Sequence, residues 1–210
     1  MFNFLDRPPK GTLSKKLNIK WKHQCQQKII PKMLFTRSYI RSLSRSIARS
    51  PVEIYVGGSC YNNSTPVESG GYALYFPGAE HPTVCKPVST GLITNHRSEL
   101  LAVKTALMIY KEKMKGIPCI IYTDSTYVVN SLYDYSPVWR KNGWKKTNGA
   151  PVKNQDLMKP LCEMFETHRG YVSVKHTTTS VYNQEIHLRN NSVANIMAKA
   201  ARILGRTMSR

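Results

Sequence analysis

The chain has 210 residues, with 31 Lys or Arg against 12 Asp or Glu and a formal net charge of +19. A hydrophobic fraction of 41% supplies a real core and argues against wholesale disorder, and no apolar run approaches the ~18 residues that cross a bilayer, so an integral membrane association is not expected. Five cysteines, odd in number and without a CxxC pair, form neither a disulfide framework nor a cysteine zinc site, and suggest a reducing compartment.

The charge is uneven. Residues 1–52 carry 12 Lys/Arg and one acid, Asp6, for +11, while residues 53–210 carry 19 and 11, for +8. A basic body predicts an anionic partner, and nucleic acid is the commonest. Arg37, Arg41, Arg45 and Arg49 recur every four residues, and Phe35, Tyr39, Leu43 and Ile47 recur at the same step, offset by two. At ~100° per residue that offset puts the two sets on opposite faces of a helix. Residues 33–50 hold no acid and five serines. Arg-rich, Ser-rich and amphipathic is the composition of a mitochondrial presequence, which predicts a mitochondrial location. The alternative is an Arg-rich helix that stays on the protein and binds RNA or anionic lipid, with a cytoplasmic or nuclear location. Residues 1–50 are thus a basic leader, 51–205 the folded domain and 206–210 a basic tail.

Within the domain, 52–60 reads as a strand, Gly70-Gly71 opens a second over 72–76, and 83–87 is a third, which together suggest an antiparallel meander. Leu100, Leu101, Val103, Ala106, Leu107 and Tyr110 give 95–115 a helical period that Gly116 and Pro118 stop. The apolar run 119–122 predicts a strand buried on both faces. Asp124-Ser125 caps a short helix over 126–132. Residues 137–148, rich in Trp, Lys and Asn, are not expected in the core. A helix over 153–167, a strand over 171–175, a long polar loop over 176–190 and an amphipathic helix over 192–204 complete the chain.

Several local sequences match one family in order. Tyr55-Val56-Gly57-Gly58-Ser59-Cys60 resembles the Tyr-Thr-Asp-Gly-Ser-Cys strand of type 1 ribonucleases H. Thr94-Asn95-His96-Arg97-Ser98-Glu99-Leu100 resembles that family's Thr-Asn-Asn-Arg-Ala-Glu-Leu helix start. Tyr122-Thr123-Asp124-Ser125 resembles its second Asp motif. Trp139 to Lys146, followed by Val152 to Leu157, is similar to its basic protrusion, and Ala194-Asn195-Ile196-Met197-Ala198 to its final Ala-Asp-x-Leu-Ala helix. The matches span about 150 residues and agree with the element order above. The resemblance implies an α/β, three-layer RNase H-like fold: a five-stranded mixed sheet with helices on both faces.

The family cleaves the RNA strand of RNA–DNA hybrids with two Mg²⁺ ions held by four acids. Mg²⁺ is a hard cation that takes oxygen ligands in octahedral geometry; in a two-metal site one ion activates water and the other stabilises the leaving oxygen. Here the resemblance aligns two of the four acid positions with Gly57 and Asn195, leaving Glu99 and Asp124. Glycine offers no ligand and Asn195 only an amide oxygen. Glu53 lies four residues before Gly57 on the same strand face, about 13 Å away, too far to substitute. Glu99 and Asp124 would hold one Mg²⁺ at most, and weakly, or persist only as a helix-start acid and a helix cap. His187 is the candidate for the family's mobile histidine, with His176 as a second; a lone histidine in a polar loop is otherwise simply solvated.

The binding parts match better. Trp139, Lys141, Trp144, Lys145 and Lys146 form a basic segment interleaved with aromatics, which in the family grips the DNA strand; lysines neutralise phosphates and tryptophans pack on sugars. Asn95, Arg97 and Asn130 match positions near the hybrid backbone; Asn154 and Gln155 are further candidates for contact with the nucleic acid, and Asn154 also stands where a helix cap belongs. The expectation is a nucleic-acid-binding protein that takes an RNA–DNA hybrid or structured RNA and needs no cofactor to bind. Its hydrolysis is lost, and its home is a mitochondrial ribonucleoprotein such as the ribosome, beside other subunits. The competing expectation is an unconventional ribonuclease H that uses Mg²⁺.

Overall fold

The computed structural model describes residues 50–61, 69–88, 92–178 and 183–208, with side chains to 205. The basic leader and its 33–50 segment lie outside the described residues apart from Ser50, as does the tail apart from the helix backbone to Met208. Strand β1 (Val52–Tyr61) pairs antiparallel with β2 (Ser69–Tyr75), which pairs antiparallel with β3 (Val84–Val88). On its other side β1 pairs parallel with β4 (Cys119–Thr123), which pairs parallel with β5 (Val172–His176). The sheet order is β3-β2-β1-β4-β5, mixed and five-stranded, as the sequence predicts.

Alternation along β1 supplies two different faces. Ile54 and Val56 point to one side, where they meet α1 (Asn95–Ile109) and α4 (Gln155–His168) in the main core with Leu74, Leu100, Leu107, Ile121, Leu161 and Phe165. Burying one such side chain contributes about 1.5–3 kcal/mol. Tyr55 points the other way, with Tyr122 and Ala194 in a smaller cluster under the last helix, α5 (Gln184–Met208). Helix α1 starts at Thr94, whose Oγ1 accepts from the Arg97 amide at 3.2 Å, and runs on through a wider π turn, Tyr110–Met114. The short α2 (Thr126–Asn130) likewise passes through a π turn, Ser131–Tyr135, into α3 (Ser136–Lys141). Cys85, Cys119 and Cys162 are free thiols.

Two expectations need correction. The polar loop over 176–190 is instead helix from Gln184 onward, so α5 gains about two turns over the predicted start at 192. The reason is that its inward positions there are His187, Asn190 and Asn191, all buried, so the segment carries no apolar period. The stretch 137–148 is also less detached than expected. Ser136–Lys141 is helical, and Trp139 and Trp144 both pack against the main core.

Helix α5 lies very close to the sheet. Its buried Ala194, Ala198 and Ala201 recur at helical spacing, opposite Gly57 of β1 and Gly71 of β2. A β-carbon on Gly57 would sit 2.9 Å from both the Ala194 carbonyl carbon and the Asn195 backbone nitrogen. One on Gly71 would sit 2.4 Å from the Ala198 oxygen. Only glycine permits this approach at these two positions.

Candidate functional site

The resemblance-predicted acids and their replacements converge at one end of the sheet. Asp124 follows β4, Glu99 sits in the second turn of α1, and Asn195 comes in from α5. Asn195 Nδ2 donates to Asp124 Oδ2 at 2.8 Å, while its Oδ1 lies over Gly57, 2.4 Å from where a β-carbon would stand. Asn195 therefore bridges from the bare first position to the third. Ser125 Oγ donates to Glu99 Oε2 at 2.5 Å and also accepts from the Val128 amide at 3.4 Å, so it both caps α2 and engages the acid. His96 Nδ1 stands 3.4 Å from the same Glu99 oxygen. The cap expected of Asp124 is supplied by Ser125.

His187 is not in a loop. It lies in the first turn of α5, 6% exposed, and its ring stacks on Tyr122 with centroids 4.3 Å apart. The Tyr55 hydroxyl donates to Glu53 Oε2 at 2.8 Å, and its oxygen is 2.6 Å from His187 Nδ1, so His187 donates through Nδ1–H. Burial, and then the bond to Glu53, hold the Tyr55 phenol well above its ordinary range. Glu53 is engaged by Tyr55, a role the sequence does not announce. His176, at the end of β5, reaches the Asp124 carbonyl oxygen with Nε2 at 3.0 Å.

The residues expected to bind nucleic acid divide. Arg97 is 12% exposed and forms a two-pronged ion pair with Asp156, with Nη1–Oδ1 at 2.8 Å and Nη2–Oδ2 at 2.5 Å; it ties α1 to α4. That pair, first by its hydrogen bonds, holds the Asp156 carboxyl below the usual range. Asn154 sits at the α4 N-cap in a left-handed conformation, φ 57°, without a side-chain capping bond, and its Oδ1 faces Arg97 at 3.5 Å. Gln155 is half-buried and donates to the Trp144 carbonyl at 2.9 Å. Asn95, Lys141, Lys145 and Lys146 are exposed; Asn130 is half-buried at the end of α2.

Two clefts open beside the basic segment, and Trp139 and Lys146 belong to both. One, of about 380 Å³, adds Tyr135, Val138, Asn142 and Lys145. The other, of about 240 Å³, adds His96, Tyr127, Lys153 and Asn154. Aromatic walls flanked by exposed lysines suit a sugar or base face beside a phosphate. Tyr127, Tyr135 and Lys153 were missed as candidates; the eight-residue spacing of the two tyrosines was the available signal.

The ribonuclease H family model matches residues 49–201. The chain belongs to the ribonuclease H family. It is 40% identical over 119 residues to a ribonuclease H of Pseudoalteromonas atlantica, covering 56% of this chain and 72% of the relative. It is 35% identical over 136 residues to a ribonuclease H of Clostridium botulinum, covering 63% and 87%. Among solved structures, the PFV RNase H domain gives a TM-score of 0.56 at 22% identity, over 75% of this chain and 98% of that one. LC9-RNase H1 gives 0.52 at 24%, over 72% and 71%. The foamy viral protease-reverse transcriptase solved with an RNA/DNA hybrid gives 0.57 at 23%, over 84% of this chain but 22% of that one. These likenesses show the RNase H-like fold.

The family's two Mg²⁺ ions do not fit the donors present. Among the described residues no group of three or more His, Cys, Asp or Glu side chains could hold a metal ion. The two acids that remain each accept a hydrogen bond from a neighbouring side chain, and a two-ion centre needs more anionic oxygen than two carboxylates supply.

Proposed function

We propose that this ribonuclease H family member binds nucleic acid, an RNA–DNA hybrid or a structured RNA, without hydrolysing it. One observation carries the reading: Gly57 and Asn195, which the resemblance aligns with two of the family's four acid positions, lie side by side, with Asn195 Oδ1 2.4 Å from where a Gly57 β-carbon would stand, while Lys141, Lys145 and Lys146 near Trp139 are exposed and can hold a phosphate backbone. Without the acids that would hold the two ions, both the activated water and the support of the leaving oxygen would be lost, and each ~1.4 kcal/mol of lost transition-state stabilisation is a factor of ten in rate. The Arg- and Ser-rich residues 33–50, together with the net charge of +19, support a place in a mitochondrial ribonucleoprotein such as the ribosome.

The test is binding of the full chain to hybrid, double-stranded RNA, double-stranded DNA and single strands at one stated salt concentration. Saturable, salt-dependent binding to hybrid or RNA is expected. Uniformly negligible affinity across all four would overturn the proposal. Import into isolated mitochondria with removal of the leader tests the location, and a chain that stays outside would refute it.

A further inference from the structure

Two bare carboxylates at a phosphate-binding face would repel the ligand unless something positive stood between them and it. In a working site of this family that is the task of the metal ions. Here the chain uses its own donors. The Asn195 amide points its N–H at Asp124 Oδ2, 2.8 Å away, and the Ser125 hydroxyl points at Glu99 Oε2, 2.5 Å away. Each dipole offers its positive end to an acid, as a cation would.

Helix α5 also lies close on the Gly57 side. On the strand side of the pocket, the β-carbon position of Gly57 is 2.9 Å from α5 backbone atoms and 2.4 Å from Asn195 Oδ1. The helix is fixed on both sides of that contact. Upstream, His187 stacks on Tyr122 and bonds Tyr55. Downstream, Gly71 lies against Ala198 and Arg202 so closely that a β-carbon would meet both at 2.4 Å. An ion held by both acids would compete with Asn195 and Ser125 for Asp124 Oδ2 and Glu99 Oε2, and neither Gly57 nor the Asn195 amide would give it a further anionic oxygen.

We infer that the former metal pocket is an internally hydrogen-bonded junction closed to divalent cations by its lack of anionic ligands, and that the protein engages nucleic acid without any such ion. The second half rests on the binding reading above; the first half is a property of the free chain and is tested apart from it.

The experiment has three arms, all with the full chain. Free Mn²⁺ is titrated into the protein alone and followed by electron paramagnetic resonance. No saturable site up to millimolar Mn²⁺ is expected, and a saturable site would overturn the closure. Hybrid affinity is then measured in EDTA and in Mg²⁺ at matched ionic strength, so that counterion release contributes equally. The same Kd is expected in both, and tighter binding only with Mg²⁺ would overturn the inference while leaving nucleic-acid binding intact. Absence of binding in both buffers would refute the binding reading and with it the inference's second half, the Mn²⁺ titration alone then deciding closure. Finally, Asn195→Ala strips the donor from Asp124. Its hybrid affinity is expected to fall in EDTA and to recover with Mg²⁺; a variant that binds as wild type in both buffers would overturn the neutralising role of the amide.

Discussion

Replacing Gly57 with alanine asks whether the pocket has room for one carbon. The added β-carbon would lie 2.9 Å from the Ala194 carbonyl carbon and the Asn195 nitrogen, and 2.4 Å from Asn195 Oδ1. Non-bonded carbon contacts are comfortable at about 3.5–4.0 Å, so α5 must retreat by roughly half an ångström or more. The side-chain oxygen can swing away, but the two backbone atoms move only with the helix. Overpacking of this kind costs about 1–3 kcal/mol. Removing a glycine restores about 0.4–1 kcal/mol through the unfolded state. The net expectation is a loss of about 1–2 kcal/mol. At about 2–4 °C per kcal/mol for a domain of this size, Tm falls by roughly 2–8 °C. Thermal and urea unfolding followed by circular dichroism read this directly. Gly170→Ala is the control, because no atom lies within 4 Å of its β-carbon position; it should be neutral or slightly stabilising. A Gly57→Ala protein as stable as its parent would refute the close approach of α5, and with it the account of why acids cannot simply be put back. On the same reasoning Gly57→Asp with Asn195→Asp should fold less stably and not regain cleavage.

Alanine at Lys141, Lys145 and Lys146 together should weaken binding and reduce the salt slope of log K by up to about three phosphate units, and an unchanged slope would remove the segment from the interface. The Arg97–Asp156 pair predicts a pH signature. Asp156 is held below its unfolded value by its hydrogen bonds to Arg97, so its contribution is present above pH ~4 and fades as the pH falls through the lower folded value. Its carboxylate is 58% exposed, so solvent screening limits the pair to under about 1 kcal/mol. Asp156→Asn should therefore be less stable than wild type at neutral pH and indistinguishable in strong acid, by urea unfolding at both; a difference that persists in acid would contradict this. Tyr55→Phe leaves the His187 Nδ1–H without its acceptor in a buried site and should cost about 1–3 kcal/mol. Hydrogen exchange should then quicken first at the start of α5, and unchanged protection there would argue against that anchor.

The element order was legible because most elements bury an apolar stripe. The 3.6-residue period of α1 and the unbroken apolar run of β4 are signals the core itself imposes. The first turns of α5 were not legible, since what they bury is His187, Asn190 and Asn191, and a polar face packed on tyrosines looks like a loop in sequence. At the site, that acid positions align with Gly57 and Asn195 is what the resemblance implies, and the residue types themselves could be read. The close approach of α5 to β1 could not, because it arises where a helix crosses a strand far away in sequence. Its trace was there in pieces: Gly57 and Gly71 on one sheet face, Ala194, Ala198 and Ala201 on one helix face. Arg97 shows the opposite case. Its type suits a phosphate, and only the fold reveals that both its prongs are on Asp156.

The most direct measurement is a single-turnover digest of end-labelled RNA–DNA hybrid by the purified chain in Mg²⁺ and in Mn²⁺, at protein concentrations that saturate the hybrid, with an Asp124→Asn protein prepared in parallel to reveal any contaminating nuclease. The account predicts a bound RNA strand that stays full length with either ion. Metal-dependent cleavage by the wild-type chain that disappears in Asp124→Asn would contradict it.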